Sequence, residues 1–553
     1  MRAPTADREI ELKLLVDPAQ LKIVADRLRD GPTAFSGQPT KSLESRYFDT
    51  DDRRLAARGV TLRVRRIAGP QDEDSAEAGT ASFVQTVKAK SDNQGAHTER
   101  GEWERPVDDW TPRPDLVHDG RALDRLGLVL PEELELVFAS EIERTIVLVE
   151  QPVPGAPPAI IEVAFDDGRL IVRPNGDAAA ERIEPVAEIE LELKAGPTRG
   201  LYLLLDQLRR FARLEISTID KAERGFRLAN GGSPAAVKAK KVQLEREQST
   251  SDALGTILDN CLGQWLRNIG PAADGREIEG IHQLRIAVRR SRSALSIFAA
   301  ALDEAERKSW NERLKSVIEA TGRARGLDVF VTQLLPPIAA AAPPEAATAM
   351  AALARRAQAE RAVAYDAARA FLRSDGHADL VLDWTSWVAL ERWRETADEA
   401  ACAVLESPVI DLARPLLAKR HKRVRKLGRG FADLADDERH EVRLALKKLR
   451  YGVEFLGGLF PGKAARRYAK AAAALQDELG LLNDQAEARV LLEDLAARAP
   501  MRPAAERREL ERGIGFVLGW QAESMAGRRA AATAAWEDFI AQRPFWQDAD
   551  DAG

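Results

Sequence analysis

Over the first 230 residues polar and apolar positions alternate along the chain. The runs EIELK (Glu9–Lys13), TLRVR (Thr61–Arg65), FVQTVK (Phe83–Lys88), RGEWE (Arg100–Glu104), IEVAFD (Ile161–Asp166) and EIELELK (Glu188–Lys194) repeat with period two. Period two is what a strand with one apolar and one polar face requires. Asp167–Gly168 and Asn175–Gly176 mark turns between such runs. Two segments have helical spacing instead. Pro18–Arg29 puts Leu21, Val24, Ala25 and Leu28 on one face; a second stretch, from Thr198 to Leu214, does so with Leu201, Leu204, Leu205 and Leu208, and Thr198 is placed to cap it. Residues 70–80, acidic and glycine-containing, read as a mobile loop.

The pattern changes at GGSP (Gly231–Pro234), which is followed by KAKK at Lys238–Lys241. Beyond residue 250 the chain is rich in Ala, Leu, Arg and Glu with helical periodicity throughout. We therefore expect a domain over 1–232, a linker over 233–250 and a helical domain over 251–545. An interhelical loop is expected from Pro500 to Arg508 and a frayed tail over 548–553. The helical part repeats internally: HQLRIAVRRSR (His282–Arg292) aligns with HEVRLALKKLR (His440–Arg450) at an offset of 158, which also relates Gly322 to Gly480. Two homologous halves, about 251–400 and 401–545, follow from it.

Composition narrows the class. The 553 residues are 45% hydrophobic and 31% charged, as in soluble globular proteins. The formal net charge of −6 disfavours a protein that coats nucleic acid. Two cysteines, Cys261 and Cys402, cannot build a disulfide framework, and Cys261 on an apolar helical face reads as inert core. The start MRAPTADRE turns charged before an apolar stretch can form, and the Ala-rich Pro336–Ala354 is interrupted by Pro343, Pro344 and Glu345. We expect neither a signal peptide nor a membrane span, and a cytoplasmic location.

The polar strand faces are densely charged: Glu9, Glu11 and Lys13; Arg63 and Arg65; Lys88; Arg100, Glu102 and Glu104; Glu190, Glu192 and Lys194. One such strand would be an ordinary solvated face. The six alternating runs together fit a closed barrel whose apolar faces point outward under covering helices while the charged faces line a tunnel. Carboxylates two apart offer oxygen ligands to Mg²⁺ or Mn²⁺, and Arg and Lys clamp phosphoryl oxygens. A highly charged polyanion with a divalent metal suits that pocket.

The same residues carry a family resemblance. EIELK at Glu9–Lys13 resembles the ExExK signature of the CYTH family, the triphosphate tunnel metalloenzymes. The likeness continues through YFDT (Tyr47–Thr50), LRVR (Leu62–Arg65), TVK (Thr86–Lys88), Arg100, Glu102 and Glu104, Glu162 with Asp166–Gly168, ELELK (Glu190–Lys194) and KAERG (Lys221–Gly225), covering residues 7–230. The resemblance implies an α+β domain, a closed antiparallel eight-stranded tunnel with covering helices. It implies Glu9, Glu11, Glu190 and Glu192 as metal ligands and Lys13, Arg63, Arg65, Lys88, Arg144 and Lys221 as phosphate clamp. Glu102 and Asp166 would be supporting or water-positioning acids, and Lys13 with Tyr47 an activating pair.

In the helical half, His282, Arg285, Arg289 and Arg292 fall within one helical arc, as do His440, Arg443, Lys447 and Arg450. Arg290 and Lys448 extend the two lines, and Lys419–Arg429, which includes Arg423, adds seven Lys or Arg in eleven residues. Stacked like charges destabilise a helix, so two such lines at a fixed offset anticipate a polyanion. HxxRxxxRRxR resembles the CHAD domain, a helical module associated with inorganic polyphosphate, over residues 250–540. The first half departs from the pattern: Gly326 follows Arg325 where an acid is usual. An acid orienting Arg325 would then be missing, and the first half would bind less tightly.

The expected protein is thus a Mg²⁺- or Mn²⁺-dependent hydrolase of inorganic triphosphate, with an all-α bundle holding inorganic polyphosphate or anchoring the enzyme to polyphosphate granules. A non-catalytic polyphosphate binder is the competing reading. So is a tunnel acting on thiamine triphosphate, nucleoside triphosphates, or ATP as an adenylate cyclase. Nucleic acid and membrane are not expected partners, and oligomeric state stays open.

Overall fold

The computed structural model describes residues 9–31, 34–37, 39–68, 82–89, 98–117, 124, 126, 127, 129–173, 180–460, 462–497 and 504–547, without the side chains of 9 and 98–101. The segment 70–80, the Asn175–Gly176 turn, residues 500–503 and the tail 548–553 therefore lie outside the described residues. The chain forms two compact units: Met1–Ala235 with Asp375–Leu390, and Ala236–Ser374 with Glu391–Gly553. No helix among the described residues is long and apolar enough to cross a membrane.

Among the described residues the first unit has ten strands: β1 (Glu9–Val16), β2 (Ala34–Gly37), β3 (Lys41–Thr50), β4 (Val60–Ala68), β5 (Ser82–Ala89), β6 (Thr98–Val107), β7 (Leu134–Gln151), β8 (Ala159–Val172), β9 (Arg182–Ala195) and β10 (Leu214–Ser217). The antiparallel order β1-β6-β5-β4-β3-β7-β8-β9 returns to β1 through the β1–β9 pairing, closing eight strands into a barrel. β10 and β2 are added at β1 and β7. The expected closed eight-stranded tunnel is therefore present. The alternation explains the closure. Leu12, Leu14, Leu62, Val64, Val87, Ile161, Val163 and Leu191 are fully buried outward-facing positions, each flanked by a charged neighbour that faces in.

Helices cover the outer apolar surface. α1 (Pro18–Arg29) buries Leu21, Val24, Ala25 and Leu28 against β7–β9, as the spacing predicts. α2 (Arg54–Ala57) sits beside β3 and β4. α3 covers only Arg199–Leu208; Thr198 has helical backbone and makes no capping bond, and the chain after Phe211 is drawn into β10 by pairing with β1. α4 (Lys221–Asn230) is capped by Asp220, whose carboxylate accepts from Glu223 N at 2.7 Å. It lies so close to the barrel that a Cβ on Gly225 would sit 2.1 Å from the Phe138 ring. Only glycine allows that approach.

The second unit is all helical: α5 (Thr250–Asp274), α6 (Glu279–Ile297), α7 (Glu304–Ala320), α8 (Gly322–Val329), α9 (Leu335–Ala341) and α10 (Ala347–Leu372) before the return to the first unit. α11 (Asp375–Ala389) is the returning segment. Sequence periodicity groups it with the helical half, yet it packs on α3 and β10. Trp384 and Trp387 are buried and stacked, Ser386 Oγ donates to Asp206 Oδ1 at 2.9 Å, and Arg209 Nη2 meets Asp383 Oδ1 at 2.5 Å. Periodicity shows that a helix has an apolar face; it does not show which neighbour receives it. α12 (Trp393–Thr396), α13 (Glu399–Glu406), α14 (Val409–Leu427), α15 (Asp436–Leu456), α16 (Lys463–Ala497) and α17 (Ala504–Ile540) complete the second unit.

Candidate active site and a basic helical face

Strand register decides which charges meet, because residues directly opposite on antiparallel strands hold their Cβ atoms about 4.5–5.5 Å apart. β1 sets Glu11 opposite Glu192 and Lys13 opposite Glu190. β8 sets Glu162 opposite Glu192. Lys88 faces Glu102, Tyr47 faces Arg63, and Arg144 faces Asp166. These side chains line a cavity of about 470 Å³, except Asp166, which is fully buried behind Arg144 and Lys221.

Glu190 is the hub. Lys13 Nζ donates to its Oε1 at 2.6 Å, Lys221 Nζ to the same oxygen at 2.9 Å and Arg144 Nη2 to Oε2 at 2.5 Å. Lys13 also reaches Glu11 at 2.9 Å. Burial would raise the Glu190 carboxyl, but Lys13, Lys221 and Arg144 outweigh it and hold it well below the carboxylate range. Arg144 grips Asp166 with two parallel bonds of 2.6 Å, and Lys221 adds 2.8 Å. Asp166 is likewise held low against its burial. Its oxygens are committed to Arg144 and Lys221, and it does not itself line the cavity.

On the opposite wall Lys88 Nζ lies 2.6 Å from Glu102 and Arg63 Nη2 3.4 Å from it. Arg65 Nε donates to Ser45 Oγ at 3.0 Å; burial, with Arg63 and Arg144 nearby, brings its guanidinium down to about 10. It stays charged at neutral pH. Tyr47 stacks on Phe138 with centroids 4.2 Å apart. Burial favours its neutral phenol, yet Arg63, Arg65 and Lys221 bring its pKa below the ordinary value.

No three His, Cys, Asp or Glu side chains among the described residues are gathered into a metal-binding cluster. The donor chemistry nonetheless fits a divalent cation. Glu11, Glu192 and Glu162 form a row across β1, β9 and β8, and burial together with the charges of Glu162 and Glu11 raises the Glu192 pKa. Lys194 Nζ, 2.7 Å from Glu192 and 3.7 Å from Glu162, offsets part of this repulsion, and a hard cation would relieve the rest. Glu190 sits instead within the cation network, and the side chain of Glu9 lies outside the described residues.

Of the other sequence-derived tunnel residues, Glu11, Lys13, Tyr47, Arg63, Arg65, Lys88, Glu102, Arg144, Glu190, Glu192 and Lys221 share the cavity. Sequence reasoning missed Glu188, whose Oε2 lies 2.6 Å from Lys221 Nζ and which also pairs with Arg224. The signal was available, since Glu188 shares the face of Glu190 and Glu192 by period two.

Residues 7–226 match the family model described as CYTH domain, and residues 256–493 match the CHAD domain model. The chain carries a CYTH domain followed by a CHAD domain. A curated relative, the inorganic triphosphatase of Haemophilus influenzae, is 30% identical over 224 residues, which are 40% of this chain and 55% of that protein; the match thus spans about half the relative's length. Among solved structures, the CHAD domain from the plant Ricinus communis is 30% identical with a TM-score of 0.48, covering 56% of this chain and 98% of that one. The Hippeastrum protein HpAC1, described as having a dominant triphosphatase activity, is 19% identical with a TM-score of 0.27, covering 40% of this chain and 95% of that one.

In the CHAD unit the repeat-related helices α6 and α15 touch, and their basic lines act on one another. Burial with Arg289, Arg443, Arg450 and Arg285 brings the Lys447 ammonium down to about 7. Burial with Arg325, Arg289 and Arg285 brings His282 down to about 4, with Glu279 opposing. Arg285 falls to about 10 through burial, Arg289 and Arg325, and it donates to Thr321 Oγ1 at 3.1 Å. His440 Nδ1 lies 3.0 Å from Asn483 Oδ1.

The other expected members have different surroundings. Arg290 is 2% exposed and bonds Glu454, Gln264 and Asn260, one position and about 100° round the helix from Arg289. It belongs to the core. Arg292 Nε is held by Asn311 at 2.8 Å. Lys448 and Arg423 are solvent-exposed, and His421, within the same basic run as Arg423, is buried against Tyr468. Burial, with Arg289 nearby, lowers the Arg325 pKa, although Asp328, Glu279 and Asp484 of the other half favour its charged form, so acids lie near it despite Gly326.

Proposed function

We propose that the CYTH unit hydrolyses inorganic triphosphate to phosphate and pyrophosphate with Mg²⁺ or Mn²⁺, and that the CHAD unit binds inorganic polyphosphate. The observation that carries the first part is charge balance. Among the described residues, seven cationic and seven acidic side chains line one cavity of about 470 Å³. A phosphate chain entering such a cavity meets carboxylates as well as cations, so it enters with compensating positive charge. Glu11, Glu192 and Glu162, with Glu9, would hold a divalent cation, which when bound supplies charge neutralisation and Lewis acidity. Lys13, Arg63, Arg65, Lys88, Arg144 and Lys221 grip the phosphoryl oxygens, with Asp166 and Glu188 fixing Arg144 and Lys221 from behind. Water adds to the terminal phosphorus as its bond to the bridging oxygen breaks. Positioning and charge stabilisation carry most of the rate in such transfers. The name of the Haemophilus relative supports this substrate.

The convergence of His282, Arg285, Arg289 and Arg325 with Arg443, Lys447 and Arg450 supports polyphosphate as the ligand of the helical face. The deciding experiment measures phosphate release from inorganic triphosphate, thiamine triphosphate and ATP with Mg²⁺, Mn²⁺ or EDTA. EDTA-sensitive turnover of inorganic triphosphate in preference to the other two is expected. Absence of turnover with retained polyphosphate binding would favour a non-catalytic binder, and preference for another triphosphate would reassign the tunnel.

A further inference from the structure

A second cavity, of about 500 Å³, opens between α15, α16 and α17 of the CHAD unit. Its size lies in the range of small-molecule sites. Leu479, Leu482, Leu518 and Met525 make its wall apolar, unlike the tunnel. Its rim carries Arg443, Arg489 and His440.

Two buried amides among the lining residues have unfilled bonding capacity. Gln485 is 6% exposed and Gln521 is 7% exposed. Gln485 Oε1 and Gln521 Nε2 have no hydrogen-bond partner among the described residues. The orientation of Gln485 is fixed by its neighbour. Ser524 Oγ donates its proton to Gln521 O at 3.0 Å, so it must accept from Gln485 Nε2, which lies 3.1 Å away. That leaves Gln485 presenting an acceptor and Gln521 a donor. Buried orphan groups of this kind call for a ligand that completes them.

We propose that this cavity binds a mononucleotide, with the base against the apolar wall and the phosphate at the basic rim. The base edge supplies a donor to Gln485 Oε1 and an acceptor to Gln521 Nε2, while Arg443 and Arg489 take the phosphate. A fatty acid would fill the wall and satisfy the rim but leave both amides unpaired. Inorganic phosphate would satisfy only the rim. Two acids also lie on the rim: Asp436, which pairs with Arg529 at 2.9 Å, and Asp437, which is exposed; the phosphate is therefore placed on the Arg443 and Arg489 side. The site belongs to the second half alone: by the offset of 158 the position of Gln485 corresponds to Leu327, which is fully buried and offers no hydrogen bond.

Calorimetric titration of the full chain with AMP, GMP, CMP and UMP, beside ribose 5-phosphate and inorganic phosphate, tests this. At least one nucleotide should bind about tenfold or more tighter than ribose 5-phosphate, a gap set by the base. Gln485→Leu should remove that gap while polyphosphate binding persists. Ala522→Trp, at an exposed position of the lining, should block the cavity and serves as the test should Gln485→Leu fail to fold. Nucleotides no tighter than ribose 5-phosphate, or unchanged binding in either folded variant, would overturn the proposal. Polyphosphate binding is titrated on the same preparations; its absence would sink the polyphosphate reading and leave the nucleotide result to stand or fall by itself.

Discussion

Glu188 Oε2 lies 2.6 Å from Lys221 Nζ, with both side chains buried. Lys221 thereby meets three carboxylates, those of Asp166, Glu188 and Glu190. Burial alone would favour the neutral amine, but Asp166, Glu190 and Glu188 raise its pKa well above the ordinary lysine value. A permanently charged lysine is thus aimed into the cavity by an acid that lies behind it.

Glu188→Gln keeps the shape and removes that anchor. Lys221 should lose position before it loses charge, since two carboxylates remain. We expect KM for inorganic triphosphate to rise about tenfold, equivalent to about 1.4 kcal/mol, with a smaller change in kcat. Steady-state kinetics check the split, and a purely structural role would lower active fraction without moving KM.

Asp166→Asn leaves Arg144 and Lys221 buried beside a neutral amide. Breaking a buried ion pair by removing one partner costs about 3–5 kcal/mol. Thermal unfolding followed by circular dichroism should show a lower first transition.

The same acids set the pH response. Asp166 and Glu190 have folded pKa values below their ordinary ones, so their stabilisation is present above the unfolded carboxylate pKa, about 4, and is lost as pH falls through the folded values. Denaturant midpoints should therefore fall from about pH 5 downward, and Asp166→Asn should flatten that slope.

Polyphosphate binding should respond to pH in another window. Lys447, near 7 in the free face, gains a proton when a polyanion arrives. Affinity should then fall as pH rises above about 7, by at most tenfold per unit for one proton. Fluorescence anisotropy with labelled polyphosphate checks this, and Lys447→Arg, charged throughout, should flatten the curve.

Trp384, fully buried on α11, ties a segment remote in sequence to the first unit. Trp384→Ala should destabilise that unit by about 3–5 kcal/mol. The chain cut after residue 235 should bind a hydrophobic dye that the full chain does not.

Period two and helical spacing, properties of neighbouring residues, were enough to place the inner-face charges of β1, β4, β5, β8 and β9 and the two motif helices. Side-chain direction follows from the local backbone, so Glu11, Lys13, Arg63, Arg65 and Lys88 were legible as one class. Which carboxylate opposes which cation was not. Lys13 meets Glu190 across 177 residues through barrel closure, and Glu188 reaches Lys221 because Gly225 lets α4 lie against Phe138. Arg290 shows the same limit in the helices: its type and spacing suit a phosphate, yet packing against Asn260 and Gln264 takes it into the core. Local pattern fixes the face a residue occupies; the partner on that face is set by contacts distant in sequence, which only the folded chain supplies.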